Sequence, residues 1–142
     1  MNTSKNQPET VVGRVNALIN DAVPAPNHPP FKSESLKVTT VPLSITGVVG
    51  EGGGFREVNF FFDKAYKDGS YELPMAQART WGRYIDSGIF YYSFSAGVMR
   101  LTVKNNGSHY SGGFERVDFR EDSDIGNARC TLTASFEADI SR

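Results

Sequence analysis

The chain has 142 residues, with 15 Lys and Arg against 16 Asp and Glu and a net charge of −1. That length suits one domain with a real core, and the charge balance lacks the basic excess of a protein that neutralises nucleic-acid phosphates. A single cysteine excludes an internal disulfide, and no Cys/His cluster has zinc-ligand spacing.

Residues 1–8 are polar and aperiodic, which predicts a disordered tail and no signal peptide. From Glu9 to Val23 the apolar residues Val11, Val12, Val15, Leu18, Ile19 and Ala22 recur at helical spacing. Pro8 suits a first helical turn, and Pro24 stops the run. The spacing predicts an amphipathic helix of about three turns, against which Gly13 and the valines count. Such a stripe packs on the chain's own sheet, or docks on a partner or on another copy of the chain as a homo-oligomer contact. Pro24, Pro26, Pro29 and Pro30 then form a stiff tether, with His28 expected in solvent. The domain reading is thus a tail at 1–8, a helix and tether at 9–30, and one β domain over 31–142.

Leu36 to Val49 reads as an edge strand or two short strands meeting at Pro42. The glycine-rich loop at 50–54 lacks the Gly-Lys-Ser/Thr of a phosphate cradle, and strand rather than helix follows it. Val58, Phe60 and Phe62 alternate with Asn59, Phe61 and Asp63, and Phe61 on the nominally outer side implies that this side is covered too. Lys67 to Ser70 forms a turn, and Tyr71 to Leu73 returns. One helical turn is expected around Met75 to Ala78. Val98 to Lys104 alternates, Asn106-Gly107 suits a type I′ turn, and Phe114, Val117 and Phe119 fall out of step, which predicts a β-bulge near Gly112-Gly113. The last strand is the clearest: Cys130, Leu132, Ala134, Phe136, Ala138 and Ile140 share one face, and the intervening residues are polar or charged. A buried, inert Cys130 follows.

The fold class expected is all-β: an antiparallel sandwich or flattened barrel of about seven to eight strands, with one N-terminal amphipathic helix. No activated nucleophile stands beside either histidine. The acidic residues Asp118, Glu121, Asp122 and Asp124 lack EF-hand spacing and read as a solvated loop. Arg79, Trp81, Arg83, Tyr84, His109 and Tyr110 are the expected ligand-binding residues, because aromatic rings flanked by guanidinium groups make recognition surfaces. Tyr91 and Tyr92 must point to opposite faces. The expected function is a non-catalytic binding or assembly module for a carbohydrate or protein. The alternative is a barrel carrier or enzyme with an aromatic-lined cavity. No cofactor, metal, nucleic acid or membrane partner is expected. No run approaches the ~18 apolar residues of a membrane helix. The location expected is cytoplasmic, or exported without a cleaved signal.

Overall fold

The computed structural model describes residues 10–24, 28–50, 54–75, 80–94, 97–121 and 126–141. Among these there are eleven strands and no α-helix. The strands are β1 (Thr10–Val23), β2 (Phe31–Ser33), β3 (Ser35–Thr40), β4 (Leu43–Val49), β5 (Arg56–Phe61), β6 (Gly69–Pro74), β7 (Trp81–Asp86), β8 (Ile89–Ser93), β9 (Val98–Lys104), β10 (His109–Glu121) and β11 (Arg129–Ser141). All pairings are antiparallel, and the main path runs β2-β1-β11-β10-β8-β7-β5-β4-β3.

The helix expected over 9–23 is not there. Its residues form β1, a 14-residue strand that pairs with β11 from Thr10↔Ser141 to Val23↔Arg129. The apolar set fits both periods. Read in twos, Val15 and Ala17 are buried with Val11 and Ile19 packed beside them, while Val12 and Leu18 point to solvent. Three β-branched valines and Gly13 lower helix propensity, and an unpaired edge on β11 rewards the strand along its whole length. A homo-oligomer contact through that helix loses its basis with the helix. The strand count also exceeds the seven to eight expected, because the N-terminal segment and Phe31–Ser33 both join the sheet.

The sheet curls into a nearly closed barrel because its two end strands are neighbours in the chain. Only Glu34 separates β2 from β3, so the path must return to where it began. The seam is bridged by a side chain: the Ser33 hydroxyl donates to the Val48 carbonyl at 2.6 Å and accepts the Val48 N–H at 3.1 Å. β1 and β4 also meet here. A Cβ on Gly47 would sit 2.7 Å from the Val15 Cβ, so only glycine permits the approach.

β10 forks the sheet. Its first half, His109–Gly113, pairs with β9, and its end, Phe119–Glu121, pairs with β8. Between them the register against β11 slips by one residue between Phe114 and Val117, and Arg116 takes a φ of 49°. This is the bulge expected near Gly112-Gly113, displaced to Glu115-Arg116, with the Arg116 N–H donating to Thr133 Oγ1 at 3.1 Å. β6 pairs with β9 and extends the branch. The β9–β10 turn has three left-handed residues, Asn105, Asn106 and Gly107, rather than the expected pair. Asp68 holds that turn from β6's side, its carboxylate accepting the N–H groups of Asn106 at 3.0 Å and Gly107 at 2.9 Å.

The interior is filled with rings. Phe60 contacts Phe136 at 4.6 Å and Phe114 at 5.6 Å, and Phe114 stacks on Phe119. Tyr66, Tyr71 and Phe62 continue the ring contacts from the β5–β6 connection, and Tyr84 and Tyr91 form a second ring pair on β7 and β8. Each fully buried Phe is worth about 1.5–3 kcal/mol relative to exposure. The tail at 1–8, residues 51–53 of the glycine-rich loop and residues 76–78 of the expected helical turn lie outside the described residues.

Candidate functional site: an outer aromatic stripe and a buried polar cluster

β5, β7 and β8 lie side by side, and alternation sends every second residue outward. Phe61 stands directly opposite Trp81, and Arg83 opposite both Asn59 and Tyr92. Cross-strand partners on one face are close enough to touch. Phe61 therefore stacks on Trp81 with centroids 4.1 Å apart, and Trp81 meets Tyr92 at 5.8 Å. The Arg83 guanidinium lies 5.2 Å from the Phe61 ring and 5.6 Å from Phe90. Its Nε donates to Asn59 Oδ1 at 2.8 Å, and Asn59 donates to Thr46 Oγ1 at 2.8 Å. Glu57 sits 3.5 Å from the Arg83 terminal nitrogen. At the β10 border of the stripe, the Arg120 guanidinium lies 3.7 Å from the Phe94 centroid. Phe94 is 58% exposed and Phe90 40%. The result is a stripe of five rings and two arginines on one outer face.

The second constellation lies inside. Arg56 begins β5, and Tyr84 and Asp86 end β7, two residues apart and so on the same side. The Arg56 guanidinium donates to the Tyr84 hydroxyl oxygen at 3.1 and 3.2 Å and to the Pro29 carbonyl at 2.6 Å. Tyr84 donates to Asp86 Oδ2 at 3.1 Å. His28 Nδ1 lies 3.0 Å from that same carboxylate oxygen. The same Nδ1 shares a hydrogen bond with the Tyr84 hydroxyl at 3.0 Å. His28 Nε2 is buried and has no hydrogen-bond partner among the described residues. His28, expected in solvent, is instead 4% exposed at its side chain and clamps the 28–30 segment to the barrel. Burial raises the Tyr84 phenol well above its ordinary value, against the opposing pull of Arg56. Burial also pushes the Tyr91 phenol up to about 12, helped by the negative charges nearby, and the Cys130 thiol up to about 12.

The expected binding residues divide among these places. Trp81 and Arg83 meet on the outer stripe. Tyr84, next in sequence, points the other way into the core. Tyr110 is also buried, opposite Val103 and Ala138. His109 is on the outer side at the far end of β10 from Arg120, with Nδ1 2.5 Å from Asp139 Oδ1 and Nε2 3.8 Å from Glu137, which pairs with Arg14 at 3.0 Å. Arg79, Asp122 and Asp124 lie outside the described residues. Phe61 had a legible signal, being an aromatic on the wrong face of its strand. Phe90, Phe94, Arg120 and the His28 cluster had none, because their partners are distant in sequence.

No group of three His, Cys, Asp or Glu among the described residues could hold a metal ion. No helix among them is long and apolar enough to cross a membrane. No known family model matches the chain, and no curated protein or solved structure matches it either.

Proposed function

We propose that the chain is a non-catalytic binding module that docks a protein partner on the outer stripe of β5, β7 and β8. The observation that carries this reading is the composition and placement of the stripe. Phe61, Trp81, Tyr92, Phe90 and Phe94 share one solvent-facing surface with Arg83 and Arg120. Aromatic residues and arginine are the side chains enriched in protein interfaces and in their energetic centres. Trp81 stacks on Phe61 and the Arg83 guanidinium lies 5.2 Å from the same ring, so ring surface within the stripe is already engaged by its neighbours. That favours a protein surface over a sugar ring. The carrier alternative fares worse, since Phe60, Phe114, Phe119 and Phe136 fill the barrel interior that a ligand would need. Catalysis fares worse too: His28 Nε2 is buried and has no hydrogen-bond partner among the described residues, so no nucleophile stands beside it. The cluster is read as a clamp.

The test uses the exposed rim, where folding is not at stake. Phe94→Ser with Arg120→Ala should leave the melting temperature within a few degrees of the parent. The same pair should abolish capture of a specific binding protein by cross-linking in a cell extract. Glycan binding lost in that variant, with no protein lost, would move the reading to carbohydrate. Partners that ignore the variant would end it.

A further inference from the structure

The opposite flank of the barrel carries a second surface, independent of the aromatic stripe. A groove of about 420 Å³ crosses β2, β1, β11 and β10 on their outer side and ends against β9. Its volume lies within the ordinary range of small-ligand sites. The register places five residues in one line across it. Arg100 is opposite Gly113, Gly113 opposite Ser135, Ser135 opposite Asn16, and Asn16 opposite Lys32. At about 4.8 Å per strand, that line spans about 19 Å.

The chemistry along the line is ordered. Cations stand at both ends, Ser135 and Asn16 offer small neutral hydrogen-bonding groups between them, and Gly113, next to Arg100, has no side chain. Gly113 is forced by the backbone: at a φ of 145° its Cβ would fall 2.1 Å from the Ala134 carbonyl oxygen. The groove therefore has a bare floor that a ligand ring can approach. Asn16 and Ser135 have no side-chain hydrogen bond to the described residues, so their amide and hydroxyl face the groove unused. Arg100 has one ionic neighbour, Glu72, at 3.9 Å, and both side chains are mostly exposed, at 64% and 72%. Such a pair is screened and weak, and a bidentate carboxylate would displace it readily. Lys32 has no ion pair among the described residues. Leu18, 52% exposed, supplies an apolar wall, and Glu115 is the single acidic residue lining the groove.

We propose that this groove binds a short, hydroxyl-rich, carboxylate-bearing ligand of the acidic oligosaccharide class. The end cations take the carboxylates, Asn16 and Ser135 read hydroxyls, and a sugar ring lies over the Gly113 floor. Charge complementarity selects the acidic ligand: Arg100 and Lys32 outweigh Glu115 among the lining residues, and the ligand carboxylate takes the place of Glu72 on Arg100. The neutral amide and hydroxyl select hydroxyls over a plain diacid.

The test is titration of the ¹⁵N-labelled full chain with three probes. These are a glucuronate-containing tetrasaccharide, a neutral glucose tetrasaccharide, and an aliphatic dicarboxylate. The acidic saccharide should shift the amides of Gly112, Gly113, Thr133 and Ser135 in a saturable way. It should bind at least tenfold more tightly than either other probe. Lys32→Ala with Arg100→Ala should weaken it tenfold or more while leaving the melting temperature unchanged, since both side chains are exposed. Phe94→Ser should not alter it, which separates this site from the protein-docking stripe. Equal binding of the dicarboxylate, saturation that survives the double variant, or no shift at these amides each overturns the proposal.

Discussion

At the residue scale, position relative to the sheet decides the cost of a change. Phe136 is 3% exposed and packs on Phe60 and Phe62, so Phe136→Asp buries an unpaired charge and removes a ring at once. A loss of about 4 kcal/mol or more is expected, enough to abolish the cooperative thermal transition. Thr133 is on the other face of the same strand, and its hydroxyl oxygen caps the bulge N–H of Arg116. Aspartate can accept that same hydrogen bond, so Thr133→Asp should cost less than about 1 kcal/mol. Equal melting temperatures for the two variants would refute the assignment of faces. Cys130 obeys the same logic. Its buried thiol, with a pKa pushed up to about 12, should resist a thiol reagent in the native protein and react only as fast as the chain unfolds.

At the element scale, β1 and the seam hold the barrel together. β1 covers the edge of β11 along its whole length and also carries β2. Removing residues 1–23 should therefore leave a long unpaired β11 edge and yield an aggregating or unfolded product, read by light scattering and far-UV circular dichroism. A stable, soluble β domain after that truncation would contradict the role given to β1. Gly47→Val tests the seam. Its side chain would meet Val15 and Ser33, where a Cβ already approaches to 2.7 Å, so the β2–β4 bridge must open or β1 must shift. The expected cost is about 1–3 kcal/mol, with faster amide exchange at Val48 as the local signature. Asp68→Ala should loosen the β9–β10 turn by about 1–3 kcal/mol, because two backbone donors lose one carboxylate.

At the scale of the whole molecule, burial of proton-bearing groups sets the alkaline limit. Cys130 and Tyr91 both have folded-state pKa values raised to about 12. An unfolded thiol ionises near ~8.5 and an unfolded phenol near ~10. Above those values the unfolded chain has released protons that the folded chain still holds. The stability that these groups contribute is thus complete below about pH 8.5 and is lost as pH rises toward 12. Chemical denaturation midpoints should be flat from neutrality to about pH 8.5 and then fall. Cys130→Ala should flatten the part of the fall between about pH 9 and 10, and Tyr91→Phe should lessen the part above it, to which the buried Tyr84 phenol also contributes. A midpoint that rises with pH over this range would show that the two groups are not buried in their protonated forms.

Much of this was legible in the chain. Unbroken alternation from Cys130 to Ile140 determined a strand and its faces, since no helix places every second residue on one side. The glycines, prolines and asparagines marked turns, and the broken step at Glu115-Arg116 announced a bulge. Adjacent Tyr91 and Tyr92 had to diverge, and they do: one is core and the other lies beside Trp81. What the chain left open was set by partners distant in sequence. Val11 to Ala22 satisfies a helical and an extended period alike, and only the free edge of β11 decides between them. Tyr84 and Tyr110 have the composition of a binding surface, yet their strands' register turns them inward. His28 lies in a proline run that looks solvated, and it is buried because Asp86 and Tyr84, more than fifty residues away, offer it a proton acceptor and a ring. The aromatic stripe and the groove are likewise products of pairing, in which strands distant in sequence place side chains about 5 Å apart. Local periodicity named the clearest strands but not β1, and only the closure of the sheet could say which strands are neighbours.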